Sequence, residues 1–307
     1  MHAKERDPSR RTIHRAADVE QRRSPHLTEE APAVRLELDS RPETLTLVRG
    51  VLAGVAELIG LDPELLDDLK TAVSEACNNV VMHAYEGETG PLAVRMYIDP
   101  QAIEVVVLDH GSGLPPLAPA DETIRGVGLS VIRALAERAE FRAVPDGGTE
   151  VRMAFAGQRD GKPLFHLPSL PGPDDQDAAW LTGDAVVSLS PISLLAGVLG
   201  RVARALAARA RFSLDRFSDV YLVTDAIAAH AGRAADGARM SFAISTDTQR
   251  LELTIGPFLA GSGDQLSHQA PDYSAASALT MLSDELDVRP TEDGEVLHVV
   301  MVDRRRA

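Results

Sequence analysis

The sequence predicts an α/β protein, an α+β two-layer sandwich in which a mixed sheet is covered on one face by helices. Two observations carry that expectation. An alternating strand pattern is followed by two helical periodicities and then by more strands. The same series returns after a Pro- and Gly-rich stretch, so two copies of one fold in tandem are expected from the 307 residues. That length suits about two domains of roughly 100–200 residues each.

The elements are legible in order. Residues 1–31 are polar, mixed in charge and without periodicity, and read as a loosely ordered arm. Val34, Leu36 and Leu38 alternate with Arg35 and Glu37, the pattern of a half-buried strand. A helix is expected over 43–60. A second starts at Leu61-Asp62-Pro63, with Asp62 as N-cap and Pro63 in the first turn, and runs to about Tyr85. Its apolar stripe is Leu65, Leu69, Ala72, Val73, Ala76 and Val80. Strands follow at 92–98 and 103–108, turned by Asp99-Pro100. A Pro-containing loop ends at Gly126, and Gly128–Arg138 is helical. Strands at 141–144 and 149–155 flank the hairpin signal Asp146-Gly147-Gly148.

Residues 32–157 form the first expected domain and 158–183 a Pro/Gly-rich acidic linker. Residues 184–307 form the second domain, with a strand at 185–190, helices at 191–210 and 215–231, strands at 239–245 and 250–256, a helix at 274–285 and a strand at 295–302. Leu222-Val223-Thr224-Asp225-Ala226 echoes Ala72-Val73-Ser74-Glu75-Ala76, and Val288–Gly294 echoes Phe141–Gly147.

Composition narrows the function classes. Hydrophobic residues make up 44% and charged residues 25%, ordinary for a globular chain, and only 4% are aromatic, so the core is expected to be aliphatic. A formal charge of −15 argues against direct nucleic-acid binding, where basic surface supplies most of the affinity. Cys77 is the single cysteine, which excludes an intrachain disulfide and suits a reducing cytoplasm. No apolar run of about 18 residues is present, so no membrane span is expected.

Three motifs carry chemistry. Glu75 and Asn79 lie one helical turn apart, beside the apolar stripe rather than in it. A carboxylate and a carboxamide so stacked suit a water and a hard cation; alone, the pair also suits a solvated helix face. Asp109-His110-Gly111-Ser112-Gly113 follows an apolar strand. Its carboxylate can accept from an exocyclic amine, and its glycines admit a flat ring; alone, the pentad is also an Asp-Gly turn. Gly126-Val127-Gly128 opens a helix whose free N–H groups suit an anion. No Gly-x-x-x-x-Gly-Lys-Ser/Thr run offers the common phosphate loop.

The order of these motifs, closed by Gly148-Thr149 on a strand, resembles the N, G1 and G2 boxes of the Bergerat-fold ATPases, the superfamily of gyrase and the sensor histidine kinases. Within it, Ala72–Ala76 through His83-Ala84-Tyr85 and the short lid look most like the anti-sigma-factor serine kinases. That resemblance implies ATP and Mg2+ as cofactors, with an antagonist protein and a sigma factor as partners. It implies Glu75 as general base and Asn79 as the magnesium ligand. It sets Asp109 and Thr149 on the adenine, Gly111 and Gly113 at the adenine and lid, and Gly126 and Gly128 at the phosphates. Arg125 either meets the terminal phosphate or is a solvated lid arginine.

In the second half Asp225 and Ala229 stand where Glu75 and Asn79 stood, no Asp ends the strand before Gly261, and Tyr273 and Ala275 replace Gly126 and Gly128. No nucleotide is expected there. Homodimer and intramolecular pseudo-dimer both remain open. So do a phosphorylating enzyme and a non-catalytic ATP switch.

Overall fold

The computed structural model describes residues 31–112, 126–145, 147–159, 161–166, 180–235, 239–263 and 275–304. The arm at 1–30, the lid with Gly113 and Arg125, most of the linker, and Tyr273 lie outside the described residues.

The first half runs β1 (Val34–Asp39), α1 (Thr44–Ile59), α2 (Pro63–Asn79), a π-helical turn (Val80–Ala84), β2 (Pro91–Asp99), β3 (Ala102–Asp109), α3 (Gly126–Leu135), β4 (Arg138–Ala143) and β5 (Thr149–Ala156). The short strands β6 (Gln158–Arg159) and β7 (Lys162–Pro163) form a small hairpin. The second half runs β8 (Ala185–Leu189), α4 (Leu194–Arg209), α5 (Leu214–Ala234), β9 (Met240–Asp247), β10 (Arg250–Phe258), α6 (Ala275–Leu282), β11 (Glu285–Thr291) and β12 (Gly294–Val302).

Local chemistry sets the helix boundaries. Asp62 caps α2, its Oδ1 accepting from the amides of Glu64 and Leu65, with Pro63 in the first turn. Gly60 ends α1 in the left-handed conformation at φ 59°, which glycine adopts without steric cost. Ser213 caps α5 by accepting from the Arg216 amide. The expected second helix does reach Ala84, but its last turn is π-helical.

One ten-stranded sheet crosses the molecule in the order β11-β12-β10-β9-β8-β1-β2-β3-β5-β4. Every ladder in it is antiparallel, which corrects the expectation of a mixed sheet. The reason is connectivity. Two helices, not one, return the chain between β1 and β2, so β2 enters in the opposite direction. The crossover through α3 links β3 to β4, but β5 sits between them and pairs with both.

The strand order reads as the same series from either end, and the halves join where β1 pairs β8, with Leu36 opposite Val187. The helices pack as neighbours α3-α2-α1-α4-α5-α6, so α1 meets α4 at the same seam. There Gly54 and Gly197 touch backbone to backbone: a Cβ on Gly54 would lie 2.2 Å from the Gly197 carbonyl oxygen. One continuous core, with Leu36, Val51, Val94, Val187, Val198 and Phe242 in it, runs through both halves. Residues after β5 also belong to the packed body: Phe165 is buried, the His166 amide donates to the Ile59 carbonyl, and the Asp62 amide donates to that of Leu164. Among the described residues no helix is long and apolar enough to cross a membrane.

Candidate functional site

Helix α2 sets one wall of the site. Its core stripe, with Leu69, Ala72, Val73, Ala76 and Cys77 all buried, fixes the helix rotation. Glu75 and Asn79 are therefore turned off the core and half-buried at its edge. Burial pushes the Cys77 thiol up to about 12, so it is an inert packing group, as its sequence context suggests. His83 is exposed at the end of the helix.

Helix α3 supplies the opposite wall. A Cβ on Gly128 would lie 3.1 Å from Glu75 Oε2 and 3.4 Å from Asn79 Oδ1. Glycine here brings the first turn of α3 directly against the carboxylate and the carboxamide. Gly126 is the first residue of that helix.

Asp109 forms the far end. It is the last residue of β3 and is buried, with 3% exposure. Its Oδ1 accepts from the Gly111 amide at 2.9 Å, and Thr149, the buried first residue of β5, lies beside it. Desolvation raises its pKa, and the Gly111 hydrogen bond and the neighbouring Thr149 partly oppose that rise. Gly148 permits the close approach, because a Cβ there would lie 2.0 Å from the Asp109 carbonyl oxygen and its φ is 98°.

The loop after Asp109 is tied to the end of α2. Ser112 donates its amide to the Ala84 carbonyl at 2.9 Å, and a Cβ on Gly111 would lie 2.1 Å from that same oxygen. Tyr85 adds a bridge the sequence reading missed. Its hydroxyl accepts from the His110 amide at 2.9 Å and donates to the Pro91 carbonyl at 2.5 Å. Its ring lies on Gly90, where a Cβ would be 2.3 Å away. A tyrosine directly after the helix, in a chain with four, was the available signal.

The fold thus brings Glu75, Asn79 and Gly128 together at one end and Asp109, Gly111 and Thr149 at the other, the two joined through Ala84. Among the described residues no cluster of three or more His, Cys, Asp or Glu side chains offers a self-sufficient metal site. A cavity of about 400 Å³ between α1, α4 and α5 is elsewhere; Arg204, Tyr221 and Asp225 line it, and none of the six residues just named does.

The second half is built differently at the corresponding places. Pro257 and Phe258 end β10, and the carboxylate facing the loop is Glu295 of β12, which accepts from the amides of Gly261 and Gly263. Asp225 and Ala229 lie on α5 as the sequence register expects.

The fold and these residues define the class: residues 38–155 match the family model of the histidine kinase-like ATPase domain. The chain is 32% identical over 143 residues to the serine-protein kinase RsbW of Bacillus pumilus (strain SAFR-032), covering 41% of this chain and 87% of that one. It is 31% identical over 129 residues to the anti-sigma F factor of Caldanaerobacter subterraneus subsp. tengcongensis, covering 39% and 90%. For RsbW of Bacillus subtilis (strain 168) the identity is 31% over 137 residues, covering 40% and 84%. The chain belongs to the family of these RsbW-type serine-protein kinases and anti-sigma factors.

Proposed function

We propose that the protein is an ATP- and magnesium-dependent serine/threonine protein kinase that acts as an anti-sigma regulatory factor. In this reading residues 32–157 hold the nucleotide, 158–183 connect, and 184–307 are a degenerate copy of the same fold without nucleotide. The protein phosphorylates an antagonist protein in the cytoplasm and sequesters a sigma factor, regulating transcription without touching nucleic acid itself.

The observation that carries the reading is the approach of Gly128 to both Glu75 and Asn79, with the loop after Asp109 tied to the end of the same helix through Ala84. Residues that are scattered over some 75 positions in sequence are brought near one another by α2, α3 and the end of β3, which supports a nucleotide pocket. The donor set fits magnesium. Asn79 Oδ1 is a hard oxygen ligand, and magnesium commonly takes one or two protein ligands and completes its shell with phosphate and water. Magnesium, when bound, offsets phosphate charge.

The protein's own groups have separate tasks. Asp109 accepts from the adenine amine and Thr149 holds Asp109 in place. Gly111 and Gly113 border the adenine and lid. The α3 amides at Gly126 and Gly128 bind phosphate, and Arg125 meets the terminal phosphate. Glu75 accepts the proton of the attacking serine hydroxyl. The names of the relatives support the kinase and anti-sigma parts. The antiparallel seam of β1 and β8 supports an intramolecular pseudo-dimer over a homodimer.

The test measures binding and transfer separately. Calorimetry with Mg-ATP is expected to give one site per chain. Labelled γ-phosphate is expected to pass to a serine of the antagonist, and Glu75→Gln to stop transfer while sparing binding. No ATP binding at all refutes the reading; binding without any transfer leaves the non-catalytic switch.

A further inference from the structure

Resting on the ATP-site reading above, we propose that Tyr85 is a positioning residue for the adenine end of the pocket and sets its preference for adenine over guanine. Its hydroxyl bridges the His110 amide and the Pro91 carbonyl, so it ties the residue after Asp109 to the start of β2. Asp109 is then fixed by the Gly111 amide on its carboxylate and through the Tyr85–His110 bond on the residue that follows it. The contacts of Tyr85 are with Gly90, Pro91 and His110, so it acts on Asp109 through the loop.

The chain contains its own control. The register that sets Glu75 against Asp225 sets Ala84 against Ala234 and Tyr85 against Ala235. The backbone tie survives in the second half, where the Leu259 amide donates to the Ala234 carbonyl at 2.7 Å. Ala235 bridges Phe258 through backbone alone. The fold therefore closes this corner without a tyrosine. The hydroxyl bridge, the π-helical turn that precedes it, and Gly90 under the ring occur in the half that carries Asp109.

Geometry explains why selectivity is the sensitive readout. A carboxylate accepts from the adenine amine but repels the carbonyl that guanine carries there. Discrimination depends on the carboxylate staying fixed; a loop free to tilt weakens the adenine contact and relieves the guanine repulsion together.

The test uses the full-length chain and Tyr85→Phe, which keeps the ring on Gly90 and removes only the bridge. The freed groups belong to exposed residues, so water can satisfy them and the fold is kept. Calorimetry with Mg-ATP and Mg-GTP should show ATP affinity falling about fivefold, the worth of one hydrogen bond, with the ATP-to-GTP ratio narrowing by more than that factor. Hydrogen exchange in the nucleotide-free protein should speed up at residues 109–112 in the variant. Unchanged ATP affinity, an unchanged ratio, or unchanged exchange overturns the proposal. Asp109→Asn separates the two levels. If the wild type binds ATP, Asp109→Asn binds it about thirtyfold more weakly, and Tyr85→Phe behaves as wild type, only the positioning role fails. If the wild type binds no ATP, the site reading fails.

Discussion

Gly128→Ala tests the heart of the site with a single methyl group. The new Cβ would sit 3.1 Å from Glu75 Oε2 and 3.4 Å from Asn79 Oδ1. The first distance is about 0.4 Å short of the ~3.5 Å at which a non-bonded carbon contact is comfortable. Both neighbours are side-chain ends, so they give way rather than the backbone. The helix itself gains, because alanine is favoured over glycine in a helix interior by about 1 kcal/mol. Crowding of the carboxylate offsets part of that gain, and the melting temperature should stay within about 3 °C of wild type. Activity should not stay. A misplacement of about 1 Å costs roughly a hundredfold in rate, so a shift of a few tenths of an ångström in Glu75 should lower phosphoryl transfer about tenfold. Differential scanning fluorimetry and a labelled-ATP transfer assay on the same preparation separate the two. Wild-type transfer by a folded Gly128→Ala protein would refute the placement of the phosphates against α3. A melting temperature lowered by some 10 °C would show instead that the glycine serves packing alone.

Asp109→Asn should weaken ATP binding about thirtyfold, the loss of a hydrogen bond to a charged acceptor, measured by calorimetry. The same change should raise the melting temperature at pH 7.5. Burial raises the Asp109 pKa, so the folded state holds its proton more tightly than the unfolded chain. This group's contribution to stability is then greatest below the unfolded value and declines as pH rises through the raised folded value; the gap between variant and wild type should close toward pH 4. Gly54→Val forces α1 from α4 at the seam, where even a Cβ falls 2.2 Å from backbone, and should cost more than the ~1–3 kcal/mol of ordinary overpacking in urea denaturation. Glu104→Gln removes the charge paired with buried Arg152 at 2.7 Å, while Glu150 stays 3.1 Å from that arginine, and should cost about 1–3 kcal/mol in the same assay without altering ATP affinity.

Much of this was written in local sequence, because local sequence controls caps, periodicity and turns. Asp62-Pro63 started α2 where expected, and Gly147-Gly148 turned β4 into β5 with both residues at positive φ, 94° and 98°. The helical stripe of α2 set Glu75 and Asn79 off the core, since rotation about a helix axis follows directly from which residues are apolar. Strand β11, Glu285–Thr291, escaped although Leu286 and Val288 alternate with charged neighbours and pack against the core: the alternation is short, the other face is exposed, and a proline at an edge position disguises the strand. The π-helical turn escaped because Val80–Ala84 has ordinary helix composition; only its neighbours make the wider turn worthwhile.

The sequence alone determined which residue types were available for a nucleotide site and in which half of the chain they stand. The Glu75 and Asn79 pair, Asp109 and the glycines are all in the first half, and their counterparts are replaced in the second. Tertiary structure alone decided what those residues meet. The contact of Gly128 with Glu75, the bridge from Tyr85 to His110, and the joining of both halves through β1 and β8 each link positions far apart in the chain. Periodicity reports which face of an element is buried, not which partner buries it. Partner choice is fixed only when two helices return the chain antiparallel and the whole sheet closes into one core.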